Sequence, residues 1–232
     1  MRKSIINTPH VISTKASGSM KKNDGSINLK NIKKFLIEND LPERFVCMHQ
    51  IHSGNVGVVQ DTKREIISEV DCLVTNRKNV SLGVITADCL PVLFYDKNNN
   101  VIAAAHAGSK GLLYKILQNT VEILRTKFNS NPKDIVVLIG PGIEKKCYEV
   151  GEEVISQFTK QYHWFDTSYY SDSKSDFYFL DLRKIAQQIL IKEGILLEHI
   201  EISELCTKCE IDTFYSYRRG DTNGRIVSVI SL

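Results

Sequence analysis

Three apolar, β-branched segments crowd into residues 80–105, and they leave the chain little freedom in what it can fold into. Val80–Thr86 delivers Asp88 and Cys89. Leu90–Tyr95 turns through Asp96–Asn100 into Val101–Ala105, which delivers His106. Short apolar runs bounded by turn residues read as buried strands. The chain then passes Gly108-Ser109-Lys110-Gly111 into a helical pattern reaching about Phe128, with Leu112, Ile116, Val121 and Leu124 on its apolar face. A cysteine and a histidine at neighbouring strand ends, facing a glycine-rich helix start, are the ingredients of a site.

The flanking sequence extends this pattern. Leu29–Asn39 has helical spacing and is stopped by Pro42. RFVCMHQIHSGNVGVVQD reads as a hairpin turning at Ser53-Gly54-Asn55, with His49 and His52 at its tip. Glu69–Asn76 and Asp134–Ile139 read as strands, and Gly151–Tyr162 and Leu180–Gly194 as helices. Residues 163–178 are polar and aromatic without periodicity, which predicts an exposed loop, with its aromatic residues making a lid conceivable. Ile200–Leu205, Phe214–Tyr217 and Ile226–Leu232 complete the strands. Strands and helices mix throughout, so the expected fold is α/β: a single three-layer domain over 1–232, with a mixed β-sheet core flanked by helices.

Composition narrows the class. The chain is 42% hydrophobic and 25% charged, as in ordinary soluble proteins, and its net charge of +3 is too small to argue for nucleic acid. No apolar run approaches the ~20 residues needed to span a bilayer. Met1-Arg2-Lys3 leads into SIINTPHVIS, which lacks the apolar core of a signal peptide, so the expected location is cytoplasmic. The six cysteines then read as reduced thiols rather than a disulfide framework.

His52, Cys89 and His106 are the candidate ligands. A thiolate and two imidazoles suit Zn²⁺, with a fourth position left for water or substrate. On a strand, His49 and His52 would point to opposite faces, so only one should reach the site. The same residues admit other readings. Cys89 and His106 could be a nucleophile and its base without any metal. His₂Cys is also the equatorial set of a blue-copper site, although Met1, Met20 and Met48 are poorly placed as an axial partner. They could also be a core cysteine and two hydrogen-bonded histidines. Gly108, Ser109 and Lys110 open a helix where an anion such as phosphate could sit, or simply form a tight turn. Tyr215, Tyr217, Arg218, Arg219 and Arg225 could stack a base and clamp an anion, or pair with acids on a surface strand. His199-Ile200-Glu201 and Cys206-x-x-Cys209 imitate a deaminase zinc signature, but Leu205 replaces its proline and the gap is too short. Cys206 and Cys209 also lack a second pair for a structural zinc.

HQIHSGNV (His49–Val56), VDCLVTN (Val70–Asn76), LGVITADCLPVLFYD (Leu82–Asp96), VIAAAHAG (Val101–Gly108), IGPGIEKKCYEVGEEV (Ile139–Val154) and FYSYRRGDTNGR (Phe214–Arg225) occur in this order. Together they resemble the YfiH/YlmD family of laccase-domain, FAMIN-like proteins, over nearly the whole chain. The resemblance implies a zinc site on His52, Cys89 and His106, which fall on the family's Q-x-H, A-D-C and A-H-A-G motifs. It implies phosphorolysis of adenosine, inosine and methylthioadenosine plus adenosine deamination, so the expected partners are a purine nucleoside and phosphate. Phosphate would be held by Gly108–Gly111 with Lys110, or by Arg218 and Arg219, and Asp88 would be a supporting group or proton carrier. The family also carries a polyphenol oxidase label, but six histidines are too few for a full multicopper cluster. Ser109-Lys110 stands where the family usually has Trp-Arg, and Thr222-Asn223-Gly224-Arg225 has one extra residue, which bears on substrate preference.

Overall fold

Alternation along the central strands decides the architecture. In a computed structural model describing residues 4–61, 63–174 and 176–232, Leu90, Val92 and Phe94 of one strand pack into one apolar layer, while Leu93 packs into another. The next strand repeats this, with Ala103 and Ala105 on one side and Ile102 and Ala104 on the other. A strand buried on both faces needs cover on both, which is why these segments read as continuous apolar runs.

One cover is a second sheet. The first sheet has six strands in the order β13 (Ile200–Ile202), β9 (Ile135–Ile139), β7 (Leu90–Asp96), β8 (Val101–Ala107), β5 (Cys72–Thr75) and β3 (Val56–Val58). The second has five, in the order β1 (His10–Ile12), β14 (Ile226–Ser231), β6 (Ser81–Thr86), β2 (Phe45–His49) and β4 (Ile66–Ser68). Both mix parallel and antiparallel pairs. Val46, Met48, Leu82, Val84 and Ile230 of the second sheet meet Leu73, Leu93, Ile102 and Leu138 of the first. Burying each such side chain stabilises the fold by about 1.5–3 kcal/mol.

Helices cover the outer faces. Helix α1 (Leu29–Glu38) lays Ile32, Phe35 and Leu36 on Phe45, Cys47, Ile85, Val227 and Val229 of the five-stranded sheet. Its N-cap Asn28 accepts from the Asn31 N–H. On the far face of the six-stranded sheet lie α2 (Ser109–Leu113), α3 (Ile116–Phe128), α4 (Glu152–Gln161) and α5 (Leu182–Lys192). The expected mixed-sheet core flanked by helices is present, but it consists of two stacked sheets. The layers run helix, sheet, sheet, helix.

Four local expectations are corrected. The segment around His52 is not a hairpin: β2 pairs with β6 and β4, whereas β3 pairs with β5 in the other sheet. The Gln50 side chain explains the divergence, because its amide bonds both N–H and C=O of Ile85 and takes over where β2 leaves β6. The helix expected over Gly111–Phe128 breaks at Lys115 (φ 64°), where the Tyr162 hydroxyl donates to the Leu112 carbonyl. The described residues of 163–178 are not simply an exposed loop. β11 (Tyr170–Lys174) and β12 (Phe177–Leu180) form a small antiparallel sheet with β10 (Glu149–Gly151), and Trp164, Phe165, Tyr169 and Tyr170 stack on one another and on the core. Phe214–Tyr217 forms turns instead of a strand, since Asp221 accepts the Ser216 N–H and Arg219 takes the Phe214 carbonyl.

Candidate active site

Asp71 organises the site. It opens β5, is fully buried, and its carboxylate gathers the segment that leaves the second sheet. Oδ2 accepts from the Ile51 N–H (3.2 Å), the Ser53 N–H (2.6 Å) and the Ser53 hydroxyl (2.8 Å). Oδ1 accepts from the His52 N–H (3.0 Å) and lies 2.9 Å from His106 Nδ1. Burial would raise this carboxyl. The bonds from His106 and Ser53 outweigh it and hold Asp71 at about 2. One buried acid thus orients two of the three predicted ligands, His52 through its backbone and His106 through its ring.

Cys89 arrives from the β6–β7 turn. The residue before it, Asp88, has φ 88°, a left-handed backbone that a non-glycine residue holds only when its surroundings fix it. Its carboxylate does so, accepting from Thr207 Oγ1 and the Arg218 N–H at 2.7 Å each, while the Ile143 N–H takes its carbonyl. His52 is likewise left-handed, at φ 60°. One ligand-type atom from each of His52, Cys89 and His106 lies within 4.8 Å of the others, and the two rings meet edge to face at 4.7 Å. Gly108 makes the approach possible, since a Cβ there would stand 2.6 Å from the Cys89 sulfur. Burial would raise the Cys89 thiol, but His106 and His52 beside it pull it below the ordinary thiol value. Burial would lower His106, yet Cys89 and Asp71 raise it.

The trio sits in a cleft of about 1010 Å³, whose walls include Asp88, Ser109, Lys110, Tyr148, Tyr217, Arg218 and Arg225. His49 lines the same cleft, but only His52 joins the cluster. Ser109 accepts from the Tyr148 hydroxyl (2.9 Å), and the Arg218 guanidinium lies over the Tyr148 ring at 5.1 Å and donates to the Glu149 carbonyl. Arg225 stands over the exposed Tyr217 ring at 5.6 Å. Tyr215 and Arg219 do not line the cleft. Arg219 instead donates to the carbonyls of Thr207, Lys208 and Phe214 and to Asp221, so it braces the loop rather than facing a ligand. Helix α2 is only five residues long, and within Gly108–Gly111 the cationic side chain is the exposed Lys110. None of the described residues in 163–178 lines the cleft.

The family model for multi-copper polyphenol oxidoreductase laccase matches residues 10–232. The chain belongs to this family. Its YfiH/YlmD character is equally plain in three dimensions: the YfiH structure from Bacillus licheniformis superposes with a TM-score of 0.87 at 31% identity, covering 95% of this chain and 91% of that one. A purine nucleoside phosphorylase of Clostridium acetobutylicum is 35% identical over 209 residues, 89% of this chain and 83% of that protein. Adenosine deaminase RL5, from an unknown prokaryotic organism, is 30% identical over 189 residues, 78% and 72% of the respective chains.

Two residues central to this family member's site are absent from the ligand list that the sequence suggests. Asp71 is signalled only as an acid opening an apolar strand in VDCLVTN. Gln50 is signalled as the polar residue of the Q-x-H motif. Their importance comes from contacts with distant segments.

Proposed function

We propose that this chain is a zinc-dependent purine nucleoside enzyme that cleaves adenosine, inosine and methylthioadenosine with phosphate and also deaminates adenosine. The observation that carries the reading is the convergence of His52, Cys89 and His106 on a cleft large enough for a nucleoside. The names of the relatives, a phosphorylase and a deaminase, support the same substrate class. Two imidazoles and a thiol suit zinc, and the Asp71–His106 bond is the kind of support that such ligands need. Bound there, zinc would supply Lewis acidity and ease removal of a water proton near neutral pH.

The chain's own side chains would bind and orient the reactants. Asp71 occupies His106 Nδ1, which leaves Nε2 for the site. In phosphorolysis a phosphate oxygen bonds to ribose C1′ as the bond from C1′ to the base breaks, and Lys110 and Arg218 supply the cations that hold the phosphate. Tyr217, backed by Arg225, offers a flat face for the purine. Deamination needs the purine face and a water, but no phosphate. Arg219, tied to the loop, would act only by keeping Arg218 in position.

Incubation with adenosine, with and without phosphate, followed by product chromatography, tests the reading. Adenine and ribose 1-phosphate should appear only with phosphate, and inosine without it. Persistence of adenosine, inosine and methylthioadenosine alike would defeat the nucleoside reading and leave a non-catalytic scaffold.

One observation favours a second reading. Cys89 lies beside His106, and His106 Nδ1 bonds Asp71, so the three stand in space as nucleophile, base and orienting acid, which would suit a metal-free Cys-His hydrolase. Metal analysis of protein purified without added zinc, and activity in a strong chelator, separate the two. The family model's name suggests copper, but the pocket cluster holds two histidines, and a laccase-like multicopper centre needs more.

A further inference from the structure

A second group of donors lies outside the cleft. Cys147 ends the short 3₁₀ turn Lys145–Cys147, and Cys206 and Cys209 lie in the loop after β13. Separated by 62 residues, Cys147 and Cys209 bring their sulfurs to 3.3 Å, and all three sulfurs lie within 4.8 Å of one another. None of the three lines the cleft. All are free thiols.

We propose that Cys147, Cys206 and Cys209 form a second metal site for a thiophilic divalent cation of the zinc class. Zinc–sulfur bonds of about 2.3 Å in a tetrahedron place sulfurs about 3.8 Å apart, inside the observed spread. The backbone is shaped for sulfur ligands as well. The Glu144 N–H donates to the Cys206 sulfur at 3.4 Å. Such an N–H···S bond suits a metal-bound sulfur. Lys145, Lys146 and Lys208 adjoin the cysteines in sequence, Lys146 also pairing with Glu144 at 3.1 Å. Cys206 is buried and Cys209 exposed, so the fourth position opens toward solvent. A disulfide would use only two of the sulfurs and would leave the third without a role.

The site would act as a staple on the cleft wall. The loop it closes is held to the strand end by the Gly142–Cys206 bridge and the Thr207 N–H to Gly142 carbonyl bond. Thr207, between the ligands, donates to Asp88, the residue that sets the approach to Cys89. A cation on the three sulfurs would therefore fix the Thr207–Asp88 contact without touching substrate.

Cobalt substitution tests this. The Cys89→Ser chain, reduced and stripped of metal, is titrated with Co²⁺ without oxygen, and the sulfur-to-cobalt charge-transfer band is followed. With the cleft thiol gone, that band should persist, with one thiolate-bound cobalt per chain. It should fall by most of its intensity when Cys209→Ser or Cys147→Ser is added. Because Cys209 is exposed, its serine variant should keep the fold, which far-UV circular dichroism checks. As a second readout, zinc should raise the thermal midpoint of Cys89→Ser but not of Cys89→Ser/Cys209→Ser. Absence of the band in Cys89→Ser, or its survival after both further substitutions, overturns the proposal. So does a purified, reduced-buffer chain in which Cys147 and Cys209 are found disulfide-linked and no cobalt binds.

Discussion

Replacing Asp71 by asparagine changes one oxygen for an NH₂ group in a buried site that already holds five donors. If the nitrogen takes the Oδ2 position it faces Ile51 N–H, Ser53 N–H and the Ser53 hydroxyl. If it takes the Oδ1 position it faces His52 N–H and His106 Nδ1. At least two donors lose their acceptor either way. Hydrogen bonds to a charged group contribute about 1.5–3 kcal/mol each, and breaking a buried charged pair costs about 3–5 kcal/mol. The expected destabilisation is therefore about 3–5 kcal/mol, read as a urea midpoint lowered by about 1.5 M. On the proposed zinc reading, metal affinity at the cleft should fall about 10–100-fold, because both histidines lose their orientation. The pH dependence supplies an independent check. Asp71 is held at about 2 in the fold, below its unfolded value of about 3.9. A depressed carboxylate contributes stability above the unfolded value, and that contribution disappears as pH falls through the folded one. Metal-free wild type should therefore lose about 2 kcal/mol between about pH 4 and about pH 2 that Asp71→Asn does not lose. A variant within about 0.5 kcal/mol of wild type, with unchanged metal affinity, would refute this account of Asp71.

Three further outcomes follow from the same geometry. Gly108→Ala places a Cβ 2.6 Å from the Cys89 sulfur, so metal affinity and turnover should drop at least tenfold while the urea midpoint changes little. Gly83→Ala pushes a methyl to 2.3 Å from the Phe45 ring beneath α1, and should cost about 1–3 kcal/mol in urea unfolding without altering the cleft. Lys110→Ala removes an exposed cation from the cleft rim, so KM for phosphate should rise severalfold with adenosine KM and thermal midpoint unchanged.

Much of the core was legible because burial on both faces leaves a local trace. The runs at Val80–Thr86, Leu90–Tyr95 and Val101–Ala105 declare themselves as strands whatever their neighbours are, and α1 and α5 show their apolar stripes at helical spacing. His52, Cys89 and His106 were legible too, since all three lie at the ends of such runs or in turns, and the structure brings them together.

What could not be read were the partners each segment finds across the chain. A turn-like Ser53-Gly54-Asn55 looks like a hairpin, yet Gln50 and Asp71 draw the two flanking strands into different sheets, through bonds spanning 35 and up to 20 residues. The aromatic run at 163–178 has no period because its rings stack on one another and on α4 rather than facing one side of an element. Cys147 gave no sign of joining Cys206 and Cys209 from 59 and 62 positions away. Periodicity records only whether a side chain is buried. The strand that completes a ladder, or the acid that receives a donor, is chosen by which unsatisfied groups meet when distant segments pack, and only the folded chain makes that choice.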